Sequence, residues 1–267
     1  MTTSTLRYLA AVTMLAAAAS LAAFASEAPT EAPPKPYEIP TKGIKDYIRK
    51  AVQSPDRPKA MTDHDFYRKP AEILALSDVR PGSKVIELSS YGNYYSTMLS
   101  SVIGPKGKLY MYDMPFFGDQ VKKDEQDFIA KHPNAVYENV DFNKVEFPKN
   151  IDVVTCMSCF HELMLTGVDL SPFLSKIYKS LRPGGTFIII FYTARDATDT
   201  DAVGPLHRID PSVVRGELGA AGFALYEEDR YLQNSSDDKT WLVDTEAQGD
   251  IADRTVYKFR KSDLGGG

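Results

Sequence analysis

The side chains between residues 156 and 162 are the ones whose types and spacing could do chemistry. They lie in the run Cys156-Met-Ser-Cys-Phe-His-Glu162. An imidazole takes up a proton near neutral pH, as a general base must. His161 is therefore a candidate base, and Glu162 or a backbone carbonyl is available to orient it. The alternative, a hydrogen-bonded histidine with a purely structural role, stays open.

The spacing of the two cysteines, Cys156-x-x-Cys159, permits two other kinds of site. A thioredoxin-like redox site places such a pair at a helix start after a strand, whereas the strand predicted here runs through Cys156. A zinc site needs about four ligands, and no second pair joins Cys156, Cys159 and His161. We therefore predict no metal site and keep a redox or disulfide role as an alternative.

His207 and Arg208 form a second pair of candidates. They occur in Leu206-His-Arg-Ile-Asp210, in the loop before a helix that is predicted to begin at Asp210-Pro211. We predict that they hold an acidic substrate.

Short apolar runs alternate with helical patterns along the rest of the chain and must position these residues. We predict helices at 43–52, from Pro70, at 94–102, around 120–130, from Ser171 and from Asp210, and strands at 84–88, 108–112, 135–140, 151–157, 186–192, 223–232 and 255–260. Strands alternating with helices indicate a parallel sheet, and two last strands with no helix between them indicate an antiparallel edge. The predicted fold class is a doubly wound α/β domain with a mostly parallel, seven-stranded sheet.

Acidic residues end or follow the first three of these strands, at Glu87, Asp113 and Asp141. In an open α/β sheet, ligands bind outside the carboxyl ends of the strands, and the first strand-to-helix turn is the usual place. Here that turn contains a single glycine, Gly92. The pattern predicts a small-molecule site at this edge of the sheet.

The turn resembles motif I of the class I S-adenosylmethionine-dependent methyltransferases, in which an acidic strand end is followed by alternating glycines. Glu87 takes the acidic position, while Ser89, Tyr91 and Asn93 stand where the three glycines would be. Glycine permits positive φ and the close approach of a ligand. We therefore expect these side chains to crowd the ligand or to reshape the loop.

The order of the later motifs extends the resemblance over roughly residues 65–260. Asp152 opens the fourth strand, and Leu181-Arg-Pro-Gly-Gly185 precedes the fifth, as in the same superfamily. More narrowly, Arg68-Lys-Pro-Ala-Glu72, the pair Tyr94-Tyr95 and the run that holds His207 are similar to an exported bacterial branch of it.

The resemblance implies S-adenosylmethionine as cofactor and assigns its contacts. Asp113 would bind the ribose hydroxyls, because a carboxylate accepts two hydrogen bonds from a vicinal diol, and Asp141 would accept from the adenine amino group. Glu87 and Gly92 would line the methionine end, and residues 156–162 would face the methyl group. The implied function is methyl transfer to a small molecule or an envelope component. The alternatives are a non-catalytic binding module that kept the fold and a redox or disulfide role for the cysteine pair.

The first 25 residues have the pattern of a secretory signal peptide. Arg7 precedes a nearly charge-free apolar run that ends in Ala23-Phe-Ala25. We predict cleavage there and a periplasmic or secreted location; the alternative is an uncleaved membrane anchor. Residues 26–60 are predicted to form a proline-rich linker and an N-terminal helix, and residues 61–262 the methyltransferase-like domain.

The charge balance argues against a nucleic-acid partner. The chain has 31 basic and 36 acidic residues, a net charge of −5, which becomes −6 once Arg7 leaves with the signal peptide. Binding to a phosphate backbone takes a basic patch. The expected partner is therefore a small-molecule or envelope substrate, and the sequence makes no prediction of oligomeric state.

Overall fold

The computed structural model describes residues 36–115 and 118–261, without the side chains of residues 118–120. The predicted signal peptide and the first part of the predicted linker lie outside these residues. No helix within the described part is long and apolar enough to cross a lipid bilayer.

Seven strands form one sheet. Their bounds are β1 Lys84–Leu88, β2 Lys108–Asp113, β3 Ala135–Asn139, β4 Ile151–Met157, β5 Leu181–Tyr192, β6 Phe223–Asp229 and β7 Arg254–Lys261. The order across the sheet is β3-β2-β1-β4-β5-β7-β6. Strands β1 to β5 pair in parallel, and β7 pairs antiparallel with both β5 and β6. The predicted α/β class, the seven-stranded, mostly parallel sheet and its antiparallel edge are confirmed.

Helices connect the strands and cover both faces of the sheet. Their bounds are α1 Asp46–Val52, α2 Lys59–Thr62, α3 Asp65–Arg68, α4 Pro70–Leu76, α5 Tyr94–Ile103, α6 Gly118–Lys131, α7 Phe160–Leu165, α8 Leu170–Ser180, α9 Val203–Leu206, α10 Pro211–Ala220 and α11 Glu246–Ile251. The helix predicted from Pro70 begins there, with proline in the first turn, where its missing N–H costs nothing.

Neighbouring residues of a strand belong to opposite layers of the core. Val85 and Ile188 belong to the apolar cluster that includes α1, α4 and α5, whereas Ile86 and Ile189 belong to the cluster that includes α7, α8 and α10. Side chains alternate along a strand, so a strand that is apolar at every position needs helices on both faces. Loops and the short helices α3 and α11 cover the carboxyl edge of the sheet.

Several features differ from the sequence-based expectation: helices α2, α3, α7 and α9 were not predicted, and two further differences concern the later part of the chain. Strand β5 begins at Leu181 rather than at residue 186, because residues 182–185 form a bulge opposite β4. Proline and glycine, interpreted as a turn, are tolerated in such a bulge. Helix α11 lies in the segment between β6 and β7, where no helix was predicted.

The close packing of α5 against β2 at Gly107 generates a stability prediction. A Cβ at this position would lie 2.5 Å from Ile103 Cβ and 2.7 Å from the carbonyl oxygen of Ser83. Gly107→Ala should therefore lower the free energy of unfolding by about 1 to 3 kcal/mol, the usual cost of overpacking, as measured by urea denaturation.

The matched control is Gly216→Ala in α10, where nothing lies within 4 Å of the added Cβ. Alanine is the better helix former by about 1 kcal/mol, so this variant should be at least as stable as the natural protein. Equal stability of the two variants would contradict the packing described for Gly107.

Candidate active site

A cavity of about 280 Å³ lies at the carboxyl ends of β1, β4 and β5. Four of the residues predicted for the site line it: Glu87, His161, Glu162 and His207. The other four, Gly92, Asp113, Asp141 and Arg208, do not. The strand ends therefore bring together the predicted catalytic histidines and the predicted methionine-end carboxyl group.

The turn after β1 keeps a backbone that favours glycine at two of the three substituted positions. Ser89 has φ 57° and Asn93 has φ 54°, beside Gly92 at φ 81°. Positive φ costs a non-glycine residue roughly 1 kcal/mol or more. Tyr91 instead lines the cavity, with 44% of its surface exposed.

Glu87 is buried at the end of β1 and faces the cavity. Burial raises the pKa of its carboxyl group to about 8, with a smaller contribution from the charge of Asp113, and the Ser96 hydroxyl acts in the opposite direction. Its Oε2 atom has no hydrogen-bond partner among the described residues. A buried oxygen without a partner costs free energy, so this atom is a ready acceptor for a ligand.

Asp113 is wholly buried and bound by the turn itself. Its Oδ1 accepts hydrogen bonds from Ser90 N at 2.6 Å and from Ser90 Oγ at 3.2 Å. Burial raises the pKa of Asp113, and it raises the pKa of the nearby Glu125 to about 9, with Asp113 and Glu87 adding to that shift. The described residues contain no group of histidine, cysteine and acidic side chains that could hold a metal ion.

His161 and Glu162 form a polar pair on the cavity wall. His161 Nε2 lies 3.3 Å from Glu162 Oε1, and this contact is the main cause that lowers the pKa of Glu162. A carboxylate only accepts hydrogen bonds, so Nε2 carries the proton and Nδ1 is the acceptor. That Nδ1 is buried and has no partner within the described ranges.

His207 stacks on His161, with ring centroids 5.3 Å apart. Its Nδ1 lies 2.9 Å from the carbonyl oxygen of Val243. Because a carbonyl accepts, Nδ1 donates and Nε2 keeps its lone pair. Two imidazole acceptors therefore lie side by side at the cavity.

Arg208 lies outside the cavity, and this placement corrects its predicted substrate role. Its guanidinium is fully buried and pairs with Asp237 at 2.8 Å. It also donates to the carbonyl oxygens of Thr193 and Trp241. All of these partners belong to the protein, so Arg208 has a structural role.

Asp141 and Gly92 also lie away from the cavity. Asp141 is partly exposed after β3, where a hydrogen bond from Lys144 is the main cause that lowers its pKa. Gly92 belongs to the turn described above. The adenine contact of Asp141 and the methionine-end contact of Gly92 stay predictions.

Cys156 and Cys159 form a disulfide, with their Cα atoms 5.4 Å apart. Both residues are buried, at 0% and 1% exposure. Thiol–disulfide exchange needs access for an attacking thiolate, and burial restricts that access. The redox alternative stays a prediction.

Two segments that are distant in the sequence complete the cavity wall. Arg68 at the end of α3 donates to Asp250 Oδ1 at 2.9 Å and to Glu246 Oε1 at 3.1 Å, both on α11. His64 also pairs with Asp250. The N-terminal helices and the segment between β6 and β7 therefore meet over the strand ends.

Arg254 and Tyr192 are further cavity residues that sequence reasoning missed. The available signals were weak: Tyr192 ends the most apolar strand, and Arg254 precedes another one. The position of Tyr192 at the end of a predicted strand indicates a site residue, whereas no pattern in the sequence indicates Arg254.

Comparisons with known proteins match this architecture. A family model described as a methyltransferase domain matches residues 116–189. A solved SAM-dependent methyltransferase from Aquifex aeolicus is similar with a TM-score of 0.55 and 17% identity, over 81% of this chain and 98% of that one. The chain has the class I methyltransferase fold.

One relative and one further structure show what this methyltransferase fold says about the reaction. The ubiquinone/menaquinone biosynthesis C-methyltransferase UbiE of Saccharophagus degradans is 27% identical over 121 residues, which are 45% of this chain and about half, 47%, of that protein. The cyclase SpnF has a TM-score of 0.54 and 14% identity, over 78% of this chain and 85% of that one. A methyltransferase fold therefore does not by itself fix the reaction.

The buried carboxyl group of Glu87 generates a pH prediction. In the folded protein it stays protonated up to a pKa of about 8, whereas its ordinary value is 4.5. The folded state therefore binds more protons between these values, and stability falls as pH rises from about 4.5 to 8. Glu87→Gln cannot ionise, so its free energy of unfolding should exceed that of the natural protein by a margin that grows over this range to a few kcal/mol.

Denaturant unfolding at pH 5, 6.5 and 8 measures this margin. The control is Glu138→Gln on β3, whose exposed side chain meets water in both states, so its margin should stay constant. A constant margin for Glu87→Gln as well would show that Glu87 is ionised in the folded protein.

Proposed function

We propose that the protein is an S-adenosylmethionine-dependent methyltransferase acting on a small molecule or an envelope component. The observation that carries the proposal is Glu87, a carboxyl group buried at the end of β1 whose Oε2 lacks a partner among the described residues and which borders the cavity. The methyltransferase fold places its ligand at this edge, and the unpartnered oxygen supplies a contact there.

The residues of the first turn fit the cofactor if the ribose replaces Ser90 at Asp113. Glu87 Oε2 and the buried Ser89 Oγ have no hydrogen-bond partner in the part of the chain that the structure describes. Asp113 Oδ1 already accepts two hydrogen bonds from Ser90, while its buried Oδ2 has no partner among the same residues. Glu87 would hold the methionine end, and Asp113 would hold the ribose.

The chain itself supplies orientation and a proton acceptor. The bound cofactor supplies an electrophilic methyl group, and the protein must align an acceptor atom with it. His161, with its proton held on Nε2 by Glu162, can take a proton at Nδ1 from an acceptor that must lose one. His207 offers a second lone pair at Nε2 because Nδ1 donates to Val243.

A non-catalytic binding protein is the second candidate function. The favouring observation is the closed state of Asp113, which is 0% exposed and bonded to Ser90. In that case the cavity would bind its ligand without any cofactor. A redox or disulfide role for Cys156 and Cys159 is a third candidate, which the formed disulfide favours and its burial disfavours.

We further propose an exported, periplasmic or secreted protein with no nucleic-acid partner. The support is the signal-like pattern of residues 1–25 and the acidic net charge.

Calorimetric titration with S-adenosylmethionine tests the proposed function. The natural protein should bind it weakly, because Ser90 competes for Asp113. Ser89→Gly should improve binding, because glycine at this positive φ lets the cofactor approach the turn more closely. Asp113→Asn, which keeps the size of the side chain, should weaken binding by about 1 to 3 kcal/mol.

The control for these variants is Asp63→Asn, an exposed acid that does not line the cavity, which should leave binding unchanged. No binding at millimolar cofactor by either the natural protein or Ser89→Gly would refute the methyltransferase proposal and leave the binding protein. Undiminished binding by Asp113→Asn would refute the ribose contact alone.

A further inference from the structure

Arg254 is a buried cation in the cavity wall that the proposed chemistry does not use. It opens β7 and pairs across the sheet with Tyr192, the last residue of β5. Its exposed fraction is 6%, and both residues line the cavity.

Among the described residues, the hydrogen-bond partners of the Arg254 guanidinium are backbone carbonyl groups. Its Nη2 donates to Tyr67 O at 3.0 Å and to Asp250 O at 2.9 Å. Its Nε is shielded from solvent and has no hydrogen-bond partner within residues 36–115 and 118–261. Neutral carbonyls orient a cation but do not neutralise its charge.

Other buried arginines in the described chain are paired with carboxylates. Arg57 binds Asp65 at 2.6 Å and Arg208 binds Asp237 at 2.8 Å; the partly buried Arg68 binds Asp250 at 2.9 Å. Arg254 makes no such pair among the described residues. Leaving a buried charge unpaired is costly, and an anionic ligand would offset that cost.

Asp250, the nearest acid, is committed elsewhere. Its Oδ1 accepts from Arg68 Nε, and its Oδ2 pairs with His64 Nδ1. Only the backbone oxygen of Asp250 reaches Arg254. The Asp250 carboxylate weakly supports the charge of Arg254, while burial lowers the pKa of that guanidinium.

The surroundings of Arg254 select a singly charged, flat ligand. Acidic side chains at Glu162, Asp244 and Glu246 also border the cavity and would repel a phosphate dianion more strongly than a carboxylate. Tyr91 and Tyr192 offer ring surfaces for a planar body. Nη2 of Arg254 already uses both of its N–H groups on carbonyl oxygens, so a carboxylate would accept from the remaining N–H groups of the guanidinium.

We propose that Arg254 binds the carboxylate of a small aromatic acid, which is the ligand of this cavity. The inference rests on the proposed function for its role, since it makes this acid the methyl acceptor, but binding itself needs no cofactor. The acid then lies against Tyr192, within the same cavity as His161 and His207.

The test is an NMR titration of the full chain with benzoate and with its neutral analogue benzamide, both without cofactor. Benzoate should bind at least 10-fold more tightly than benzamide and should shift the Nε–H signal of Arg254. Arg254→Gln should remove this preference, a loss of about 10- to 100-fold in benzoate affinity. Arg254→Lys, which keeps the charge without the guanidinium, should retain part of it.

The matched control is Arg260→Gln on the same strand, whose side chain pairs with Asp78 outside the cavity; it should bind benzoate like the natural protein. Equal binding of benzoate and benzamide, or a preference that survives in Arg254→Gln, would overturn the proposal. Tighter binding of inorganic phosphate than of benzoate would overturn the carboxylate assignment. Benzoate binding in a protein that does not bind S-adenosylmethionine would keep this site and remove only the methyl transfer.

Discussion

The geometry of the cavity depends on one buried ion pair, between Arg208 and Asp237. Both side chains are completely shielded from solvent, and removing two such charges from water costs several kcal/mol per ion unless all their bonding capacity is used. Further hydrogen bonds accompany this ion pair: Arg208 also donates to Thr193 O and Trp241 O, and Asp237 accepts from Asp253 N. The pair therefore ties the end of β5 to both ends of the segment that carries α11, and that segment forms one wall of the cavity.

The same ion pair shows what a local pattern misses. Arg208 follows a histidine in a loop near the predicted site, and from sequence it was indistinguishable from a substrate-binding arginine. Its partner lies 29 residues further along the chain, in a segment predicted to be polar and irregular. Arg254, which does line the cavity, opens β7, and no sequence pattern indicated that it is a site residue. The tertiary fold determines whether a guanidinium meets a carboxylate of the protein or faces the cavity.

The fold was more predictable than the site because its signals are local. Apolar runs of strand length and helical spacings located the strands of the sheet, and β1 and β4 were placed with their exact bounds. The helix α11 was overlooked although Thr245 and Gln248 form a capping box. Glu87 near the end of β1, His161 just after β4 and His207 in the loop before α10 line the cavity, and their predicted roles stay predictions. The burial of Asp113 against Ser90 could not be predicted, since it depends on the path of a turn whose glycines are replaced.

The antiparallel strand β7 has a consequence for the order in which this protein can fold. In the sequence β7 follows β6, yet in the sheet it lies between β5 and β6. Until residues 254–261 have been synthesised, the long apolar strand β5 has an open edge, which is a template for association with other chains. The pairing that closes this edge joins residues that are 62 (Tyr192 and Arg254) to 74 (Thr186 and Arg260) positions apart and is slow to form for that reason. A nascent chain of this protein would therefore gain from a holding chaperone until its last strand arrives.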